Sequence, residues 1–205
     1  MKIIDPNSLI DKINSYEHEI KIELGCGYGR HSADYITIDL IQNEYVDIVA
    51  DIYIFLESLK PGTISAVYAS HFVEHVNDLP KFLKKLAIVC KKDAIIEFVI
   101  PHFSNPFFYS DYTHKAFFGL YSFCYLAEDQ SGLRRKVPNY GEQPDFIQTS
   151  VELRFKSYRP NYVRHAIKLG ISKIVNSFPW AKELYEEIFT WIFPCYEVYY
   201  KLRRS

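Results

Sequence analysis

The chain of 205 residues has only four cysteines, and Cys26, Cys90, Cys124 and Cys195 stand far apart with no paired spacing. That excludes a disulfide framework or a zinc ribbon as the basis of the fold, because isolated cysteines usually serve as small buried hydrophobes. There is no run of about 18 apolar residues, and the opening Met-Lys-Ile-Ile-Asp-Pro lacks the apolar centre of a secretory signal. A formal net charge of −1 provides no global attraction to nucleic acid or anionic membrane. Internal repeats and low-complexity segments are also lacking. These absences lead us to expect a soluble, reduced, cytoplasmic protein that does not bind nucleic acid.

With 48% hydrophobic residues the chain can bury a full core, so residues 1–205 are expected to form one domain. Apolar, β-branched runs at 20–24, 35–39, 46–50, 64–70 and 94–100 read as strands covered on both faces, hence a parallel sheet. Residues 7–16 form an amphipathic helix with Leu9, Ile10 and Ile13 on one side, and Leu79–Val89 has the helical period of a crossover helix. Residues 151–158 and 197–203 alternate like two further strands, with helices at 161–176 and 180–192 between them.

The most informative segment is Glu23-Leu24-Gly25-Cys26-Gly27-Tyr28-Gly29, a strand running into a glycine turn, followed by a second strand that ends on Asp39. Glycines let the backbone approach a ligand at φ > 0, and a carboxylate at the next strand tip can accept both ribose hydroxyls. Arg30 stands where a dinucleotide fingerprint has its third glycine, so a nucleoside ligand without phosphates is favoured.

On these residues the chain resembles the class I S-adenosylmethionine (SAM)-dependent methyltransferases. The likeness continues in order through Asp39, Asp51 after a third strand, and Ala66-Val67-Tyr68-Ala69-Ser70-His71-Phe72-Val73-Glu74-His75 at the end of the fourth. The resemblance implies a three-layer α/β, Rossmann-like fold with a mostly parallel seven-stranded sheet and an antiparallel last strand. It also implies SAM as cofactor. Glu23, Gly25, Cys26 and Gly27 would approach its methionine part, Asp39 its ribose and Asp51 its adenine, with Ser70 and His71 lining the cleft and Leu40 and Ile52 also among the cofactor-binding residues. Residues 1–19 become an N-terminal helix or lid, 102–146 an acceptor-side insertion, and 161–193 a helical pair before the last strand.

One departure is visible. Only nine residues separate Gly29 from Asp39, whereas a parallel crossover takes about a dozen or more and holds a helix. A subset of methyltransferase-like sequences associated with surface polysaccharides is similar here. It shares the acidic pair (Asp47, Asp51), the Glu74-His75 dipeptide and the stretch Asp111-Tyr112-Thr113-His114-Lys115-Ala116-Phe117.

Methyl transfer to a hydroxyl needs positioning and a base. Ligands of doubly wound sheets lie beyond the carboxyl ends of the strands, which places His71, His75 and His102 at the cofactor's edge, with Asp111 and His114 able to fold over. His114 or His102 is expected to be the base, oriented by Asp111. The bland reading of Asp111 is a cap on the N–H of Thr113 or His114. His71 to His75 also spells the inverted zinc-peptidase pattern H-x-x-E-H, but that motif needs a continuous helix and a further ligand, so no metal is expected.

Signals for base methylation are missing. No acid-Pro-Pro-aromatic motif follows strand four, and the only Pro-Cys, Pro194-Cys195, lies in the tail. The aromatic-rich stretch from His102 to Tyr121 suits the faces of a sugar ring or a packed core. Arg134-Arg135-Lys136 offers either an anion contact or a solvated loop. The stripe Trp180, Tyr185, Phe189, Trp191 and Phe193 reads as core or a homodimer face, with peripheral membrane contact second. The reading is a SAM-dependent O-methyltransferase acting on a small-molecule saccharide or a lipid-linked surface-glycan precursor. An N-methyltransferase for a small amine or protein, and a non-catalytic SAM-binding scaffold, are the alternatives.

Overall fold

In β1 (Ile20–Leu24) every residue but Lys21 is buried, which places this strand inside the sheet. The computed structural model describes residues 6–15, 19–139, 144–157 and 160–205. Within them, β2 (Ile36–Asp39), β3 (Ile48–Val49), β4 (Ile64–Ser70) and β5 (Cys90–Pro101) join β1 as parallel neighbours. β8 (Glu197–Arg204) lies antiparallel between β5 and β7 (Phe146–Arg154), and a two-residue β6 (Glu128–Asp129) closes that side. The sheet order is β3-β2-β1-β4-β5-β8-β7-β6. A mostly parallel Rossmann-like sheet with an antiparallel last strand is therefore observed, with β6 as one strand more than the expected seven.

One face of this sheet carries Ile22 and Leu24 of β1, Val67 and Ala69 of β4, Ile96, Phe98 and Ile100 of β5, and Val198, Tyr200 and Leu202 of β8. Helix α1 (Pro6–Ser15) packs there through Ile13, α2 (Ile52–Ser58) through Phe55 and Leu56, and α3 (Leu79–Val89) through Phe82, Leu83 and Leu86. All of them belong to one continuous core.

The opposite face corrects the expectation of strands covered on both sides. Lys21, Tyr68, Glu97, Tyr199, Lys201 and Arg203 project from it, each only half-buried. The cause lies in the connections, since neither β1–β2 nor β2–β3 contains a helix among the described residues, so no second helical layer covers this face. Side chains cover it instead. His31 stacks on Tyr68 with ring centroids 3.7 Å apart, Tyr35 meets both edge-on, and the Arg154 guanidinium lies 4.1 Å from the Tyr199 ring centre.

The far side of the sheet is protected differently. The edge of β7 presents unpaired backbone groups at Leu153, and Asn176 at the end of α4 (Tyr162–Asn176) satisfies both. Its Oδ1 accepts the Leu153 N–H at 2.9 Å and its Nδ2 donates to the Leu153 carbonyl at 2.6 Å. Lys182 of α5 (Pro179–Leu184) donates to the Val151 carbonyl at 2.7 Å. The helix expected over 180–192 stops at Leu184, continues as a π-helical turn over Tyr185–Phe189, and leaves Trp191 and Phe193 beyond it.

Strand β7 begins earlier than expected, because buried Gln148 and a bulge between Gln148 and Ser150 hide its alternation. Tyr158, the expected end of that strand, lies outside the described residues. So do Tyr16, part of the expected lid, and residues 140–143 of the expected insertion. What is described of α1 is held to the sheet's helical side, where Asn14 bonds the Ser58 carbonyl and the Lys60 N–H.

Candidate functional site

Because β1 lies between β2 and β4 and all three run parallel, their carboxyl ends open side by side at one edge of the sheet. The glycine turn leaves β1 there. Gly25 has φ +66° and a Cβ on it would sit 2.6 Å from the Phe72 ring, so only glycine fits. Gly27, at φ +55°, faces open space. Asp39 ties the turn to the tip of β2: its Oδ2 accepts the Gly27 N–H and its Oδ1 the Ile41 N–H, both at 2.9 Å. Asn43 completes the clamp by donating to the Gly27 carbonyl at 2.8 Å.

Several neighbours expected to meet a cofactor have framework duties. Glu23 is buried and its Oε2 accepts the His31 N–H at 2.8 Å, which pins the shortened crossover; burial pushes its carboxyl up. Asp51 caps α2 by accepting the N–H groups of Tyr53 and Ile54. Asp47 accepts from both Thr37 donors and pairs with Arg30 at 2.5 Å. The Cys26 thiol is pushed up to about 11 by burial, which makes it a poor nucleophile. Around the turn Tyr28, Leu40 and Ile41 are exposed, an apolar rim at the β2 tip; Ile52 starts α2 and Ser70 ends β4, both half-buried.

His71, one residue past β4, adopts φ +53°, a strained conformation for a side chain of its size. Its Nε2 meets Glu197 Oε1 at 2.8 Å, and its Nδ1 lies 3.6 Å from Glu74. Burial alone would lower its pKa, but the bond to Glu197 and the nearby Glu74 carboxylate raise it to about 9. Burial likewise works to raise the Glu197 carboxyl, yet His71 and Lys156 hold it below its ordinary value. The two carboxylates thus favour the imidazolium form of His71 at the cleft, which suits a counter-charge better than a base.

Beyond it, a 3₁₀ turn (Val73–His75) carries Glu74 and His75, and the loop 111–115 folds over this turn, with the Lys115 N–H donating to the Glu74 carbonyl at 2.7 Å. This brings His114 beside His75, ring centroids 4.9 Å apart. Asp111 lies between Thr113 and His114. Oδ1 caps Thr113 through its N–H and hydroxyl, which lowers the carboxyl's pKa, while Oδ2 lies 3.7 Å from His114 Nε2. His114 Nδ1 bonds the Phe108 carbonyl at 2.9 Å, leaving Nε2 to carry the lone pair.

His102 takes a different place from the one expected. β5 runs on to Pro101, so His102 is drawn fully inside, bridging Phe118. Its Nδ1 accepts the Ser104 N–H and its Nε2 meets Glu186 at 3.2 Å. With both ring nitrogens engaged and no exposure, it is a framework residue rather than a base.

Phe108 packs against His114, with Tyr109 and Phe117 against Phe108, and the rings of Tyr109 and Phe117, like those of Phe107 and Tyr112 in the same segment, are exposed. Arg134 and Arg135 border a separate groove of about 850 Å³ that they share with Glu183, Glu186 and Glu187; Glu183 accepts the backbone N–H groups of both arginines, and the three carboxylates outnumber the two guanidinium groups, so the groove is not net cationic. Of the tail stripe, Tyr185 is core, while Trp180, Phe189, Trp191 and Phe193 are exposed. Among the described residues no helix is long and apolar enough to cross a membrane.

No family model and no curated protein matches the chain. It is similar in structure to a SAM-dependent methyltransferase from Archaeoglobus fulgidus, at 18% identity over 97% of this chain and 90% of that one, with a TM-score of 0.56. It is also similar to a candidate methyltransferase from Bacillus halodurans, at 14% identity over 96% and 97% of the two chains, with a TM-score of 0.51. The fold is the class I methyltransferase fold. In that fold's terms, the glycine turn and Asp39 occupy the β1 and β2 ends, and the Glu74-His75-His114 cluster the β4 and β5 side. Sequence reasoning considered Glu74 and His75 but did not join them to His114, and it missed Glu197 altogether. The H-x-x-E-H spacing signals the first pair; Glu197 is 126 residues from His71 and carries no local signal.

Proposed function

We propose that the protein binds SAM at the β1–β2 edge and transfers its methyl group to a hydroxyl of a saccharide or related surface-glycan precursor. The observation that carries this reading is the Gly27–Asp39 clamp opening beside a histidine cluster. The cradle suits a nucleoside without phosphates: Gly27 leaves open space, Asp39 keeps lone pairs beyond its two amide bonds, and Tyr28, Leu40 and Ile41 offer apolar surface for a base. The imidazolium of His71 supplies a counter-charge for a ligand carboxylate. When bound, SAM supplies a methyl group already activated on a sulfonium.

The chain's own residues then have modest work. His114 Nε2 takes the acceptor's hydroxyl proton, and Asp111, ionised at 3.7 Å, stabilises the imidazolium that forms. Phe107, Tyr109, Tyr112 and Phe117 suit the faces of a sugar and exclude water. Positioning contributes roughly 7–11 kcal/mol and the base roughly 10²–10⁴-fold. In this reading the protein is cytoplasmic and meets a lipid-linked acceptor at the membrane surface through Trp180, Trp191 and Phe193.

A second reading, methyl transfer to an amine, draws on Glu74 and Asp111, two carboxylates near His114 that suit a cationic acceptor. Isotopically labelled SAM incubated with fractionated cell extract, with mass analysis of the labelled product, separates oxygen from nitrogen acceptors. Calorimetry with SAM alone tests the cofactor: absence of heat removes the whole reading, and binding with no labelled product in any fraction favours a scaffold.

A further inference from the structure

Glu74 is fully buried, and neither of its carboxylate oxygens has a hydrogen-bond donor. An ionised carboxylate kept from water without donors is strongly disfavoured unless a cation faces it. His71 Nδ1 faces Glu74 as an ion-pair partner at 3.6 Å, longer than a hydrogen bond, while its Nε2 meets Glu197, so both Glu74 oxygens keep acceptor capacity for a further cation.

The two histidines beside it are set as ligands. His114 donates from Nδ1 to the Phe108 carbonyl, so its Nε2 lone pair points toward Glu74 Oε1, 3.9 Å away. For His75 the tautomer follows from a chain of donors. Asp111 accepts the Thr113 hydroxyl proton at 2.6 Å, so Thr113 Oγ1 must accept from His75 Nδ1–H at 2.9 Å, and the lone pair of His75 falls on Nε2. Outer hydrogen bonds of this kind, from the non-ligating nitrogen to a carbonyl or a carboxylate-backed hydroxyl, are how metal-binding histidines are oriented.

We infer that Glu74, His75 and His114 bind one divalent transition-metal ion of the zinc, manganese or iron class. Each offers one donor atom, and the three lie within 4.8 Å of one another. Ligands around a four-coordinate zinc, at about 2.0–2.2 Å from the metal, sit roughly 3.4 Å apart, so loading draws the side chains together by about an ångström. Two imidazoles and one carboxylate favour such an ion over magnesium or calcium, which take oxygen donors. Three protein ligands leave positions open for an acceptor.

The role of the ion rests on the methyl-transfer reading. An acceptor hydroxyl oxygen coordinates the metal and loses its proton to solvent, and the resulting alkoxide attacks the methyl carbon of SAM. The C–S bond breaks with its electron pair going to sulfur, giving the methyl ether and S-adenosylhomocysteine. In this form His114 is a ligand, and the ion replaces it in acidifying the hydroxyl.

The test is metal binding itself, without SAM. Chelator-stripped protein is titrated with Zn²⁺ by calorimetry and with Co²⁺ by visible absorption, with Mg²⁺ as the control. One equivalent of Zn²⁺ is expected, with Co²⁺ d–d bands that Mg²⁺ does not displace. His75→Ala and His114→Ala should each weaken Zn²⁺ at least about 100-fold, and Asp111→Asn, acting through Thr113, about 10-fold. Glu74→Gln keeps the side chain's shape and should abolish the Co²⁺ bands while its melting curve reports folding. No binding tighter than millimolar by the full chain, or His114→Ala binding as well as the parent, overturns the inference. SAM calorimetry on the stripped protein separates the two ideas: SAM heat without metal binding sinks only the metal site, and metal binding without SAM heat sinks only the methyltransferase reading.

Discussion

Asp39 holds Gly27 by a 2.9 Å bond from the glycine N–H to Oδ2, so the residue best placed for a ribose also sets the shape of the turn beside it. Asp39→Ala should therefore remove SAM binding altogether, while Asp39→Asn, which keeps one acceptor, should weaken it by about 1–3 kcal/mol. Calorimetry measures both, and near-parental affinity in Asp39→Ala would place the cofactor elsewhere.

Gly25 is constrained by both conformation and space. Gly25→Ala puts a methyl group against Phe72 at a positive φ and should cost about 1–3 kcal/mol of stability by denaturant titration. Gly29→Ala, with nothing within 4 Å, should change stability by no more than about 0.5 kcal/mol.

The His71–Glu197 pair predicts a pH dependence of known sign. His71 is raised from 6.5 to about 9, so its contribution is complete below pH 6.5 and is lost as pH rises through about 9. Glu197 is lowered from 4.5, so its contribution is present above pH 4.5 and is lost as pH falls through its folded value. The difference in Tm between the parent and Glu197→Gln should be greatest between pH 4.5 and 6.5 and narrow toward pH 9. A constant difference would mean that His71 is not protonated in the folded state.

His114 and His102 should separate cleanly. His114→Ala should spare SAM binding and slow turnover by about 10²-fold or more, whereas His102→Ala, which takes one hydrogen-bond partner from each of Ser104 and Glu186, should chiefly lower Tm. Loss of turnover in a His102 variant that melts like the parent would restore it as the base.

The pieces that were legible before the structure are those governed by near neighbours. Strands 20–24 and 64–70 and helix 79–89 lie where their patterns place them, because apolar periodicity records which side of a segment is buried. Strand β7 was misplaced because a bulge and a buried glutamine break the period. The site was half legible. Asp39 announces itself at a strand tip after a glycine turn, but His102 and His114 look alike in sequence and differ only in whether the sheet swallows them.

By itself the sequence determined where the chain turns after β1 and that a mostly parallel sheet would form, since turn chemistry and side-chain burial patterns act over a few residues, while the antiparallel last strand followed from the family resemblance. Tertiary structure alone decided that one sheet face goes without helices, that Glu197 charges His71, and that Glu74 meets His75 and His114. Those outcomes depend on which strand ends and loops lie side by side, and burial and charge at such meeting points come from residues far apart in the chain.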